Sequence, residues 1–159
     1  MIEERSDRFI QPVEVINTLP ITTIHELYDL QTQSYTVEKV LLNIDTFPPL
    51  LETSCAFAQA DDAILMCIEK GSIRGFLQYE VAKDRLIINK LVVHPDYFRT
   101  GVASDLLQAL IDLKGDKSIQ VETAQENTPA MTLYQKHDLT DITPLKVAEG
   151  LQLVKLVMT

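Results

Sequence analysis

No stretch of this 159-residue chain carries enough consecutive apolar residues to cross a bilayer as a helix. The N-terminus, Met1-Ile2-Glu3-Glu4-Arg5, opens acidic and lacks the apolar core of a secretory signal, so the expectation is a cytoplasmic protein with no membrane partner. Cysteine is scarce. Cys55 and Cys67 are too few and too far apart for a metal knuckle or a redox pair, and a single bridge between them is the remaining alternative to free thiols. Cys67 lies in the apolar run Ala63-Ile64-Leu65-Met66-Cys67-Ile68, which points to a buried thiol. Basic residues number 14 against 23 acidic ones, for a formal charge of -9, and they are scattered. Phosphate contacts along a nucleic acid need clustered Lys and Arg, so no nucleic-acid partner is expected. Two common phosphate-binding signatures are also missing: neither G-x-x-x-x-G-K-[ST] nor G-x-G-x-x-G occurs, which removes nucleoside triphosphatase and dinucleotide-binding readings.

What is present suits one compact domain over residues 1–159, with residues 1–11 a polar, loosely held tail. Hydrophobic residues make up 46% and charged residues 23%, a balance that folds rather than stays disordered. The periodicity predicts a weak strand near Val13 to Ile16, a helix from Thr22 to Ser34 with Thr22 or Thr23 as cap, and a shorter helix over Val37 to Asn43. Pro48 and Pro49 mark an ordered loop. Strands are predicted at Ala63 to Glu69, Ile73 to Val81 and Leu86 to Val93, joined by turns that suit an antiparallel meander. The polar pair Asn89-Lys90 inside the third strand suggests a bulge. Further strands are predicted at Ser118 to Thr123, Ile142 to Val147 and Leu151 to Met158.

The most informative segment runs from Val92 to Leu107: an apolar strand end, a turn marked by Pro95, then a helix start with Gly101 and Ala103. The first N–H groups of a helix have no carbonyl partner within it, and the peptide dipoles add partial positive charge there. Small side chains leave that spot open, and Arg99 adds a full charge, so the junction is a candidate diphosphate site. In the helix itself Val102, Leu106 and Leu110 form one i, i+4 row and Ala103, Leu107 and Ile111 the next. A second helix starts near Asn127 or Thr128 as cap, with Pro129 in its first turn. Ala130, Leu133, Tyr134 and His137 share one of its faces.

These two segments resemble the motifs of the GNAT superfamily of acyl-CoA-dependent N-acyltransferases. Val93, Pro95, Tyr97, Gly101, Ala103, Ser104, Leu106 and Leu107 match the acyl-CoA motif V-x-P-x-[YF]-[QR]-x-x-G-x-[GA], with Phe98 where Gln or Arg is usual. Asn127, Ala130, Leu133, Tyr134 and Lys136 match N-x-x-A-x-x-L-Y-x-K-x-G-F, with Asp138 and Leu139 at its last two positions. The resemblance implies an α/β (α+β) fold: a mixed, mostly antiparallel sheet of about seven strands flanked by about four helices. It also implies acetyl-CoA as cosubstrate. Backbone groups of Leu91, Val92 and Val93 and the Asn127 side chain would hold the pantetheine arm where two strands splay apart. The loop residues Phe98, Arg99, Thr100, Gly101, Val102, Ala103 and Ser104 would bind the diphosphate, and Tyr134 would protonate the departing thiolate.

Direct acyl transfer to an amine needs a neutral nucleophile, a stabilised oxyanion and a proton for the leaving group. Many members of the superfamily carry a Glu on the strand before the diphosphate loop, but Asn89 and Lys90 stand there in this chain. Glu80 and Glu122, on neighbouring strands, are the substitutes named by the sequence, with His25 and His137 behind them. His94, in the turn, reads as structural. The expected function is transfer of an acetyl group to a small-molecule amine or a protein amino group. A non-catalytic acyl-CoA sensor that has lost its base is the alternative, and an unrelated phosphate-binding domain a third reading. Self-association, where it occurs, is expected through the C-terminal strands.

Overall fold

The computed structural model describes residues 7–158. Along the chain run β1 (Arg8–Val13), α1 (Ile21–Leu42), α2 (Ser54–Ala58), β2 (Ala63–Glu69), β3 (Ser72–Val81), β4 (Arg85–Val93), α3 (Val102–Leu113), β5 (Ser118–Ala124), α4 (Thr128–Lys136), β6 (Asp141–Ala148) and β7 (Leu151–Met158). The strands form one seven-stranded sheet in the order β1-β2-β3-β4-β5-β7-β6. Every neighbouring pair is antiparallel except β4 and β5. This is the mixed sheet with four α-helices that the sequence led us to expect.

The parallel pair is short. Arg85 to Ile88 of β4 lie against Ser118 to Val121 of β5, and pairing stops there. It stops beside a bulge: Gln78 faces Lys90 and Tyr79 faces Ile88, so Asn89 is an extra residue on β4. A bulge bends its strand and increases local twist, so β4 leaves β5 at this point and a gap opens beside Leu91 and Val93.

Each face of the sheet buries its own apolar cluster. Leu65, Cys67, Leu77 and Val93 pack under Leu106, Leu107 and Leu110 of α3 and Tyr134 of α4. Ile64, Met66, Phe76 and Val92 pack under Ile24, Leu27 and Leu30 of α1 and Phe57 of α2. The alternation along β2 and β4 thus divides their residues between two helical layers. Cys67 is the buried free thiol expected, and Cys55 is free and exposed.

The first 60 residues depart most from expectation. The tail expected over residues 1–11 is cut short, because Arg8 to Val13 pair with β2; residues 1–6 lie outside the described residues. The strand expected at Val13 to Ile16 therefore begins earlier, and Ile16 instead opens a single 3-10 turn. The two helices expected at Thr22 to Ser34 and Val37 to Asn43 are one 22-residue helix, α1. No Gly or Pro interrupts the segment, and Thr32 and Thr36 stay within the helix by donating their hydroxyls to the Tyr28 and Thr32 carbonyls. Its N-cap is Pro20 rather than a threonine, and Asn43, at φ 53°, ends it. The second helix, α2, lies instead at Ser54–Ala58, where the Thr53 side chain accepts from the Ala56 N–H.

Both margins of the sheet carry a proline, Pro12 in β1 and Pro144 in β6, and β6 bulges between Pro144 and Val147. Gly75, in the centre of β3, is required for a different reason. A Cβ there would lie 2.7 Å from the Val92 carbonyl oxygen and 2.8 Å from Val102 Cγ1. Helix α3 therefore sits on the sheet at a separation that no side chain allows. Gly75→Ala is expected to cost about 1–3 kcal/mol by overpacking. In thermal denaturation that corresponds to a Tm lower by about 2–4 °C for each kcal/mol, and an unchanged Tm would show that α3 can lift without cost.

Candidate active site

The junction between β4 and α3 is built to leave backbone donors open. His94 Nδ1 accepts from the Asp96 N–H at 3.1 Å, capping the 3-10 turn Pro95–Tyr97 and giving this histidine the structural role expected of it. Beyond the turn, Arg99 takes φ 62° and Gly101 takes φ 87°. Gly101 is the N-cap of α3 and offers no side chain to the helix amides. The first helical bond runs from the Asp105 N–H to the Gly101 carbonyl at 2.9 Å. Among the described residues, no acceptor takes the N–H groups of Arg99, Thr100, Gly101, Val102, Ala103 or Ser104. Six open donors at a helix start suit an anion, and a glycine there adds no Cβ to obstruct its approach to the backbone. Phe98, which departs from the motif, is 41% exposed and points away from the core.

The gap between β4 and β5 widens into a cavity of about 320 Å³. Ile88, Asn89, Lys90 and Leu91 form one wall and Val121, Glu122, Thr123 and Ala124 the other. Asn127 and Tyr134 of the second motif also line it, together with Tyr35, Glu38 and Phe47 from the α1 side. Of the strand residues assigned to the pantetheine arm, Leu91 reaches the cavity, while the side chains of Val92 and Val93 turn into the two cores on opposite faces.

Glu38, Asn127, Tyr134 and Tyr35 are electrostatically linked in this cavity. Burial pushes the Glu38 carboxyl up to about 7, and the Asn127 side chain, hydrogen-bonding to it, opposes the shift. Asn127 does two things at once, since its Oδ1 also accepts from the Ala130 N–H and caps α4. Burial raises the Tyr134 phenol well above its ordinary value, and the Glu38 charge adds to the effect. Tyr134 is therefore held as a neutral phenol. A carboxyl raised to about 7 in the same cavity as a protonated phenol is chemically suited to pair a base with an acid.

Glu38 was absent from the sequence reading. It had a signal: Tyr35, Glu38 and Leu42 follow one another at i, i+3 and i+7 on the stripe of α1 that carries Ile24, Leu27 and Leu30 inward, and a carboxylate on such a stripe calls for explanation. The carboxylates that were named fare differently. Glu122 lines the cavity. Glu80 is not brought there: it is exposed, and its Oε2 accepts from Asn89 Nδ2 at 2.8 Å. Lys90 reaches the cavity, but its Nζ donates to Glu52 Oε1 at 2.6 Å and lies 4.6 Å from the centre of the Phe57 ring. Burial lowers its pKa despite the Glu52 partner. The two motif departures at the end of α4 are accommodated: Asp138 takes the left-handed conformation usual for Gly, at φ 71°, and Leu139 is fully buried.

Comparison with known proteins follows the same lines. A sequence model of the Acetyltransferase (GNAT) family matches residues 24–138. The UPF0157 protein YqkA of Bacillus subtilis (strain 168) is 32% identical over 142 residues, which are 89% of this chain and 41% of that protein. The mouse Cysteine-rich protein 2-binding protein is 30% identical over 91 residues, 57% of this chain and 12% of its own length. The chain thus spans less than half the length of either relative. Among solved structures, the ribosomal-protein-S18-alanine N-acetyltransferase of Escherichia coli superposes with a TM-score of 0.67 at 18% identity, covering 94% of this chain and 93% of that one. The PaiA N-acetyltransferase of Thermoplasma acidophilum, solved in complex with coenzyme A, gives 0.68 at 12% identity over 92% and 98% of the two chains.

Proposed function

The chain belongs to the Acetyltransferase (GNAT) family, and from that premise we propose that it acts as one domain transferring an acetyl group from acetyl-CoA to a primary amine, by direct attack in a ternary complex. The carrying observation is Glu38, a carboxyl pushed up to about 7 in the cavity that also holds Tyr134. It supplies the base that Asn89 and Lys90 do not, and so favours catalysis over the sensor alternative.

The residues fit the cosubstrate. Open amides from Arg99 to Ser104 suit a diphosphate, and the gap beside Leu91 suits a narrow, peptide-like arm. Acetyl-CoA, when bound, supplies an activated acetyl thioester. The chain's own groups do the rest. The Val93 amide is the donor for the developing oxyanion, and the amides from Arg99 to Ser104 anchor the diphosphate. Glu38 accepts the proton that an attacking amine must lose, and near neutrality enough of it is ionised to do so. Tyr134 Oη keeps its proton until a thiolate leaves beside it. Glu38, Glu122 and Glu149 give the cavity an acidic lining that favours a protonated amine as the approaching species, whether on a small molecule or on a protein.

The test measures CoA thiol release from acetyl-CoA with a panel of primary amines, alongside calorimetry with CoA. Tyr134→Phe is expected to lower kcat by about 10–100-fold while leaving the CoA dissociation constant within about twofold of the wild type. Equal losses in both would assign the ring to packing. Tight binding with no turnover on any amine would restore the sensor reading.

A further inference from the structure

Arg8 lies opposite Glu69 at the start of β1, on the face of the sheet that α3 covers. Its side chain is 7% exposed and makes three charge-assisted bonds. Nε donates to Glu69 Oε1 at 3.0 Å. Nη1 donates to Asp105 Oδ2 at 2.9 Å and to the Thr100 carbonyl at 3.1 Å. One guanidinium thus joins the first strand to the loop that precedes α3, across 92 residues of chain.

The carbonyl contact is the informative one. In a trans peptide the C=O of one residue and the N–H of the next point in opposite directions. Thr100 precedes a glycine with φ 87°, and a peptide unit next to glycine can rotate between two orientations at little steric cost. In one orientation the Gly101 N–H faces the anion site. In the other the Thr100 carbonyl does, and a carbonyl dipole repels phosphate. The Arg8 bond selects the first. Thr100 is held from its other side as well, because its Oγ1 donates to the Tyr97 carbonyl at 2.6 Å. Asp105 matters in a second way: it stands in the first turn of α3, where its charge would oppose a diphosphate, and Arg8 offsets that charge.

We propose that Arg8 is a positioning residue for the diphosphate site, holding the Thr100–Gly101 peptide in the anion-binding orientation and neutralising Asp105 beside it. This rests on the acetyl-CoA reading of the preceding subsection. Arg8 touches no substrate, and its effect reaches the reaction only through the loop.

Arg8→Lys keeps the charge and loses the fork that spans Thr100 and Asp105. Calorimetry with CoA on this variant is expected to show a dissociation constant about tenfold higher than wild type, a difference of about 1.4 kcal/mol. In turnover, KM for acetyl-CoA rises in step while kcat is unchanged. With acetylpantetheine, which has no diphosphate, kcat/KM stays within about twofold of wild type. A stabilising role alone would move both thioesters equally, and that result overturns the proposal, as does an unchanged CoA dissociation constant. Asp105→Asn provides a variant that leaves Arg8 intact and keeps an acceptor for Nη1. It is expected to bind CoA at least as tightly as the wild type, and several-fold weaker binding would make the ion pair, not the carbonyl bond, the operative contact. A wild type that uses acetylpantetheine as well as acetyl-CoA would instead remove the diphosphate anchor, and with it the reading on which this inference depends.

Discussion

Glu38→Gln lowers kcat by about 100–10,000-fold, the range for loss of a general base, with KM for the amine little changed. The pH profile carries the sharper signature. In the wild type, kcat/KM rises through about pH 7 as burial-raised Glu38 gives up its proton. In the variant that inflection is gone, and only the titration of the substrate amine remains. Stability moves the other way. A carboxyl whose pKa is higher folded than unfolded favours the protonated folded state, so the wild type loses stability as pH rises from about 4.5 to about 7 and then levels off. The neutral amide does not pay that penalty. Glu38→Gln is therefore expected to be about 1–3 kcal/mol more stable than wild type at pH 8 and equal to it near pH 4.5. A variant that keeps the inflection, or that loses stability at pH 8, would remove Glu38 from the role of base.

Gly101→Glu acts on the other end of the site. Any side chain at φ 87° carries a backbone penalty of about 1–2 kcal/mol, and this one adds a carboxylate among six open amides. CoA binding measured by calorimetry is expected to weaken by at least about 100-fold, equivalent to about 2.7 kcal/mol. Gly101→Ala separates strain from charge: it carries the same backbone penalty, adds no charge, and should weaken binding by less than about tenfold. The two variants should melt within a few degrees of each other. Undiminished affinity in Gly101→Glu would mean that the diphosphate lies elsewhere.

The parts of the fold that rest on local pattern were legible before the structure. β2 and β7 begin and end where their apolar runs do, at Ala63–Glu69 and Leu151–Met158, and the bulge signalled by Asn89 and Lys90 is present. The loop at Gly101 and the Asn127 cap carried their own motifs. What escaped depends on contacts between distant segments. Arg8 reads as part of a polar tail until Glu69, Thr100 and Asp105 surround it. Glu38 is one charge on a helix until the fold buries it, which raises its carboxyl, and brings Asn127, about 90 residues later, into hydrogen-bonding reach of it. No window of 18 residues contains either relationship.

The two prolines at the margins of the sheet bear on how copies of this chain meet. A strand joins another molecule by donating and accepting along an unbroken row of backbone groups. Pro12 and Pro144 each delete a donor from that row, and the irregularity after Pro144 twists its strand out of line. Each border is interrupted as a continuous ladder, which works against fibre-like growth by lengthening the sheet.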